Sequence, residues 1–208
     1  MKRLLLLIPV IIIIGCGLFG GPDYFPLKKG NIWKYAGMTT VETSLGVDTT
    51  SKIFHTSEIT ADDQKIGGKK VFTMTTRDSI LTFNPDTFYV STNTSYLRET
   101  DNAILTYSSL LDNDPDTTLM TDLKENKTWR QIIGSDTVVY TVLNKEDVTV
   151  PAKTYKNAWK IKAVWNSGTP LYYWYADGTG LIKYYYEYSP YSTVTIRSWF
   201  ELTQATIK

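Results

Sequence analysis

The clearest pattern along the chain is strict alternation. In Trp159-Lys160-Ile161-Lys162-Ala163-Val164-Trp165, the residues Trp159, Ile161, Ala163 and Trp165 fall on one face, while the two lysines point away. A period of two is that of a half-buried strand. Near the C-terminus, Val194, Ile196, Phe200 and Leu202 share a face opposite Thr193, Thr195, Arg197 and Glu201. From Asn31 onward, runs rich in Thr, Val, Ile, Tyr and Trp alternate with Gly, Pro, Asn and Asp clusters, spaced about 8–12 residues apart as in antiparallel β structure. Hairpin turns are expected at Gly67-Gly68, Asn84-Pro85-Asp86, Asp101-Asn102, Asn144-Lys145-Glu146-Asp147, Asn166-Ser167-Gly168 and Ala176-Asp177-Gly178-Thr179-Gly180. No 12-residue window after the leader carries a 3.6-residue apolar period, so little helix is expected. The predicted fold is all-β: an antiparallel, strongly curved sheet or barrel.

The first residues break this pattern. Met1-Lys2-Arg3 is followed by eleven apolar residues, Leu4 to Ile14, and then by Gly15-Cys16. A basic start and a short apolar run match an export signal, whereas a spanning helix needs about 20 residues. Ile13-Ile14-Gly15-Cys16 resembles the bacterial lipobox, whose Cys receives diacylglycerol and becomes the mature N-terminus. Cys16 is also the only cysteine. A diacylglycerol plus an N-acyl chain meets the two-signal requirement for stable anchoring. The chain therefore divides into a signal peptide (1–15), a lipidated tether (16–23) and a β-rich domain (24–208). Gly15-Cys16-Gly17-Leu18-Phe19-Gly20 matches a dinucleotide-binding pattern, but no strand precedes it and no helix follows.

Two stretches repeat one arrangement. Leu27-Lys28-Lys29-Gly30-Asn31-Ile32-Trp33 and Leu123-Lys124-Glu125-Asn126-Lys127-Thr128-Trp129 place Leu, Lys and Trp at the same offsets, with a turn-forming Gly or Asn fourth. Each heads a β-rich half. Internal duplication and the reuse of few residue types by β proteins are both open explanations.

Composition narrows the function. Of 208 residues, 42% are hydrophobic and 21% charged, the balance of a globular protein. Without Lys2 and Arg3 the chain carries 20 positive and 21 negative charges, which argues against nucleic acid as a partner. One Cys and one His exclude a disulfide framework and a thiolate or imidazole metal site within the chain.

A family resemblance enters here. Tyr24-Phe25-Pro26-Leu27-Lys28-Lys29-Gly30-Asn31-Ile32-Trp33-Lys34-Tyr35, just past the lipobox, resembles the Y-F-P-L-x-x-G-N-x-W-x-Y opening of an uncharacterised bacterial lipoprotein family. Val148-Thr149-Val150-Pro151-Ala152-Lys153-Thr154-Tyr155 is similar to that family's V-x-V-P-A-G-T-F. Trp174-Tyr175-Ala176-Asp177-Gly178-Thr179-Gly180-Leu181-Ile182-Lys183 is similar to its W-Y-A-x-G-V-G-L-V-K. Lys153 and Thr179 depart from the usual Gly and Val. The resemblance implies an antiparallel β lipoprotein of unknown function and supplies no catalytic residues.

Candidate chemistry is sparse. His55 has polar strand neighbours and no nucleophile motif beside it, so it reads as a surface residue rather than a general base. Asp112, Asp114 and Asp116 alternate as at the start of a Ca²⁺ loop, but Thr117 and Leu123 stand where that motif needs Gly and a bidentate Glu. An acidic, solvated hairpin loop is the simpler reading. The most unusual feature is aromatic density: residues 172–200 hold 11 of the 28 aromatics, and runs such as Tyr184-Tyr185-Tyr186 must place rings on both faces of a strand. Tyr172 and Trp174, and Tyr184 and Tyr186, are the candidate ligand surface, suited to a glycan or an apolar ligand. Core filling is the competing role. The expectation is a noncatalytic binding or structural lipoprotein, without cofactor, anchored at Cys16 and facing a ligand or envelope protein. Gly17 after the Cys favours the outer membrane. The alternative is an extracytoplasmic hydrolase working through paired carboxylates.

Overall fold

The computed structural model describes residues 22–83, 86–166 and 168–208. Cys16, the signal peptide and most of the tether lie outside these residues, as do Asn84, Pro85 and Ser167 of two expected turns. Among the described residues there are twelve strands and no helix. They are β1 (Ile32–Thr43), β2 (Gly46–Ile66), β3 (Lys69–Phe83), β4 (Asp86–Glu99), β5 (Ala103–Tyr107), β6 (Asp116–Met120), β7 (Thr128–Ile133), β8 (Asp136–Val150), β9 (Lys153–Val164), β10 (Pro170–Ala176), β11 (Gly180–Tyr191) and β12 (Val194–Thr206).

Every neighbouring pair is antiparallel, and the sheet order is β6-β5-β4-β3-β2-β1-β12-β11-β10-β9-β8-β7. Each half is thus a six-stranded meander, and the β1–β12 ladder joins the two. At the far edges β6 meets β7, so the sheet curls into a nearly closed barrel. Closure protects most of the backbone edge from pairing with other chains.

The alternation read from the sequence sets the barrel's inside. Register pairs Trp33 with Ser57, Tyr35 with His55 and with Leu202, and Gly37 with Phe200. It continues inward through Phe200 with Tyr184, Tyr184 with Tyr173, and Tyr173 with Ile161. Ile59, Leu97, Ile104, Leu119, Val142, Ile161, Ile182 and Leu202 have at most 1% exposure and form the core. Trp33, Trp129 and Trp159 join them, whereas Trp165 is only half-buried. Gly37 permits a close approach: a Cβ there would lie 1.9 Å from the Trp199 carbonyl oxygen and 2.6 Å from Phe200 Cα.

Strand direction alternates, so the hairpins divide between two ends. The proximal end carries the turns at Gly67-Gly68 and at residues 177–179, and the distal end carries those at 44–45, 134–135 and 192–193. Gly67 and Gly68 have φ of 56° and 76°, as a two-residue turn matched to strand twist demands.

Residues 22–31 seal the proximal end. The Asp23 amide donates to Asp177 Oδ1 at 2.7 Å, and the Gly178 amide donates to the Asp23 carbonyl at 2.8 Å. Trp33 Nε1 donates to the Thr179 carbonyl at 2.5 Å, and Trp159 Nε1 donates to the Tyr24 hydroxyl at 3.0 Å. The fully buried Asn31 donates to the Pro26 carbonyl and accepts from the Lys208 amide, so the 22–31 segment and Lys208 are tied to one side chain.

One expected turn is corrected. Asn144-Lys145-Glu146-Asp147 lies within β8, where the register slips between Val142 and Lys145 and again between Glu146 and Val148. Bulges absorb the extra residues and re-aim side chains. The strand runs on to Pro151, which lacks an amide hydrogen and begins the actual turn.

Candidate functional site

Rings from both halves meet across the barrel interior. Trp129 stacks on Tyr140 at 4.9 Å, Tyr140 approaches Tyr173 at 6.4 Å, and Tyr173 meets Tyr184 at 5.5 Å. Tyr184 stacks on Phe200 at 4.8 Å, and Phe200 contacts His55 and Tyr35 at 5.8 and 5.3 Å. Offset-stacked and tilted pairs of this kind add attraction beyond area burial. Burial raises the hydroxyl pKa of Tyr173 and Tyr184, with neighbouring tyrosines adding to it. Tyr140 is pushed up to about 12 by burial and then by the charge of Asp116. These three hydroxyls therefore stay neutral and hydrogen-bonding at ordinary pH.

On the distal side of this belt is a cleft of about 410 Å³, lined by Asp136, Trp165, Thr169, Leu171, Tyr184 and Tyr186. Its residues come from the start of β8, the β9–β10 turn and inward positions of β10 and β11. Tyr186 stacks on Tyr188 at 6.5 Å, while Asn166 Nδ2 donates to Asp136 Oδ1 at 3.2 Å. Ring faces with a carboxylate and a hydroxyl at the edge suit a ligand that is partly apolar and partly hydroxylated.

The four rings named from the sequence do not share a face. Tyr172 pairs with Tyr185 and Trp174 with Lys183, whereas Tyr184 and Tyr186 pair with Tyr173 and Leu171. Tyr184 and Tyr186 therefore look inward to the distal cleft, and Tyr172 and Trp174 look outward. The outward pair is covered by charge. Lys160 Nζ lies 5.1 Å from both ring centroids, and Lys183 Nζ lies 5.6 Å from that of Trp174. Trp174 Nε1 donates to Glu146 Oε1 at 2.6 Å, and Lys183 pairs with Glu201 at 2.7 Å. Burial opposes the Glu146 charge, but hydrogen bonds from Trp174 and Asn144 and the ammonium groups of Lys160 and Lys183 outweigh it. The carboxyl is held below its usual range. Trp174, 6% exposed, thus acts as a packed strut.

His55 is not an outer-surface residue. It lies half-buried inside the barrel, with Nδ1 2.6 Å from Asp78 Oδ1 and Nε2 2.8 Å from Ser57 Oγ. An ionised carboxylate only accepts, so Nδ1 carries the proton toward Asp78, while at Nε2 an unprotonated nitrogen accepts from the Ser57 hydroxyl and a protonated one donates to it. The sequence hid this chain because Asp78 arrives from β3, opposite His55 in the ladder. An acyl-transfer site also needs donors for the oxyanion. Ser57 lies mid-strand with ladders on both sides, to Trp33 and to Thr76, which commit the local backbone amides.

Proximal to the belt, His55 and Ser57 face a second cavity of about 230 Å³, whose wall is mostly apolar and includes Phe25, Trp33, Tyr35, Met74 and Leu97.

The Asp112–Asp116 loop serves itself. Asp112 accepts from the Asp114 amide and from the Ser108 amide and hydroxyl, at 3.0, 2.9 and 2.8 Å. These bonds, Asp114's first, hold its carboxyl low. Among the described residues no three acidic, His or Cys side chains converge as a cation site would require.

No family model matches the chain, and no curated protein matches it. Among solved structures it is similar to a chain from Parabacteroides distasonis ATCC 8503 described as a "putative lipoprotein". The identity is 12%, the match covers 90% of this chain and 100% of the other, and the TM-score is 0.40.

Proposed function

We propose that this protein is an extracytoplasmic bacterial lipoprotein, anchored through Cys16 in the outer membrane, whose barrel binds a ligand noncatalytically. The lipobox-like Ile13-Ile14-Gly15-Cys16 supports the anchor. Six residue steps from Cys16 to Pro22 span at most about 22 Å, which holds the proximal end near the bilayer and turns the distal end away from it. The observation that carries the binding role is the distal cleft, where Trp165, Tyr184 and Tyr186 face inward beside Asp136 and Thr169. Aromatic faces rimmed by hydrogen-bonding groups fit the sugar rings of a glycan. Asp136 is the one carboxylate among this cleft's lining residues, which suits a polar rim for binding.

Two measurements test this reading. Cys16→Ser should abolish palmitate incorporation and release the body from membranes; labelling equal to the wild type refutes the anchor. Soluble hexose and N-acetylhexosamine oligomers should bind the wild type, and Tyr186→Ala should weaken that binding by about 1–3 kcal/mol at unchanged fold. Absence of binding to every oligomer, or full affinity in Tyr186→Ala, overturns the cleft as a glycan site.

A further inference from the structure

The two halves of the barrel are built alike at their entrances, and among the internal positions that differ, one decides the space beside the entrance tryptophan. In the first half the Gly30 amide donates to the Ile59 carbonyl at 2.7 Å, Asn31 to Lys28 at 3.0 Å, and Ile59 to Asn31 at 2.9 Å. In the second, Asn126 donates to Val142 at 2.9 Å, Lys127 to Lys124 at 3.1 Å, and Val142 to Lys127 at 2.9 Å. Gly30 and Asn126 both have positive φ, 86° and 63°. The repeated Leu-to-Trp segments thus make the same three bonds from the same segment positions, which aligns β1 with β7 and β2 with β8.

Register then equates Trp33 with Trp129, and their cross-strand partners Ser57 with Tyr140. One strand further, Thr76 opposite Ser57 corresponds to Ala163 opposite Tyr140. In the second half the Tyr140 ring lies on Trp129 with only 3° between planes. In the first half a serine stands in that place, and the cavity of about 230 Å³ lies against Trp33 and Ser57.

We infer that this proximal cavity binds a small molecule consisting of one apolar ring with a single hydroxyl, seated where the second half places its own phenol ring. An apolar cavity of about 150 Å³ accommodates benzene, and drug-sized pockets run from about 300 Å³ upward, so the volume suits one substituted ring. Trp33 supplies the stacking face, and Phe25, Met74 and Leu97 supply apolar walls. Ser57 supplies the polar anchor. Ser57 Oγ lies 2.8 Å from His55 Nε2, and His55 Nδ1 lies 2.6 Å from Asp78 Oδ1; whichever partner donates in the Ser57–His55 bond, the Ser57 hydroxyl keeps hydrogen-bonding capacity for an incoming hydroxyl. This site is separate from the distal cleft and does not depend on glycan binding there.

The probe is p-cresol, with toluene as the ring lacking the hydroxyl, titrated calorimetrically into the full chain carrying Cys16→Ser. The wild-type cavity should bind both, with nuclear Overhauser contacts from p-cresol to the Trp33 indole. Ser57→Ala should weaken p-cresol about tenfold, the worth of one hydrogen bond, and leave toluene unchanged. Ser57→Tyr, which copies the second half, should abolish both. No saturable p-cresol binding below about 10 mM, which corresponds to a free energy too small for a built site, overturns the inference. So does p-cresol binding without contacts to Trp33, a readout in the wild type that stands even where Ser57→Tyr fails to fold.

Discussion

Trp174→Phe separates a strut from a ligand platform. The substitution keeps an aromatic ring beneath Lys160 and Lys183 but removes the Nε1 hydrogen bond to Glu146 at 2.6 Å. A hydrogen bond to a charged group contributes about 1.5–3 kcal/mol. Glu146 keeps Lys160 at 3.8 Å, and its side chain is 39% exposed, so water replaces part of the loss. A net destabilisation of about 1–2 kcal/mol is therefore expected, which lowers the melting temperature by roughly 2–8 °C for a domain of this size. Equilibrium denaturation of wild type, Trp174→Phe, Glu146→Gln and the double variant measures it. The single effects should not add, because both variants remove the same bond. The pH dependence has a definite sign. A carboxyl held low in the folded state contributes stability above its unfolded value of about 4.3 and loses it as pH falls through the lower folded value. The Trp174→Phe deficit should therefore shrink in acid. A variant as stable as the wild type at neutral pH, or a deficit that grows in acid, would refute the reasoning.

Gly37→Ala should cost about 3 kcal/mol, at the upper end of overpacking effects, because the new Cβ meets backbone atoms that cannot rotate away. Chemical denaturation measures this, and a loss below about 0.5 kcal/mol, the ordinary surface range, would contradict it. Tyr35, Tyr173, Tyr175 and Tyr184 have hydroxyls raised first by burial, so their contribution should be complete below about pH 10 and lost as pH climbs toward the folded values. Stability measured from about pH 8 to 12 should fall together with the appearance of tyrosinate, and a flat profile would show that these rings are not buried. Asn126→Ala should destabilise by about 1 kcal/mol because an L side chain other than Asn or Gly pays to adopt positive φ, and an unchanged denaturation midpoint would remove that strain argument.

Local chemistry was legible where the backbone decides it. Alternation in residues 159–165 and 194–202 named the inward faces of β9 and β12, and Gly67-Gly68 marked a turn whose positive φ values only such residues adopt at no cost. The Leu-to-Trp repeat was visible as spacing, and its hydrogen bonds then proved the same in both halves. Pairing across strands was not legible. Which face of β10 meets which face of β11 depends on a register slip between Trp174 and Tyr175, and that slip sends Tyr172 and Trp174 outward while Tyr184 and Tyr186 line the cleft. His55 likewise acquires its meaning from Asp78, 23 residues away and opposite it in the β2–β3 ladder. A one-residue shift in pairing exchanges the two faces of a strand. The sequence by itself therefore determined the all-β class, the strand faces and turns such as Gly67-Gly68, because these follow from side-chain period and local backbone freedom. Only the tertiary structure decided which rings and which polar groups share a space, because register is set by bulges and closure across the whole sheet.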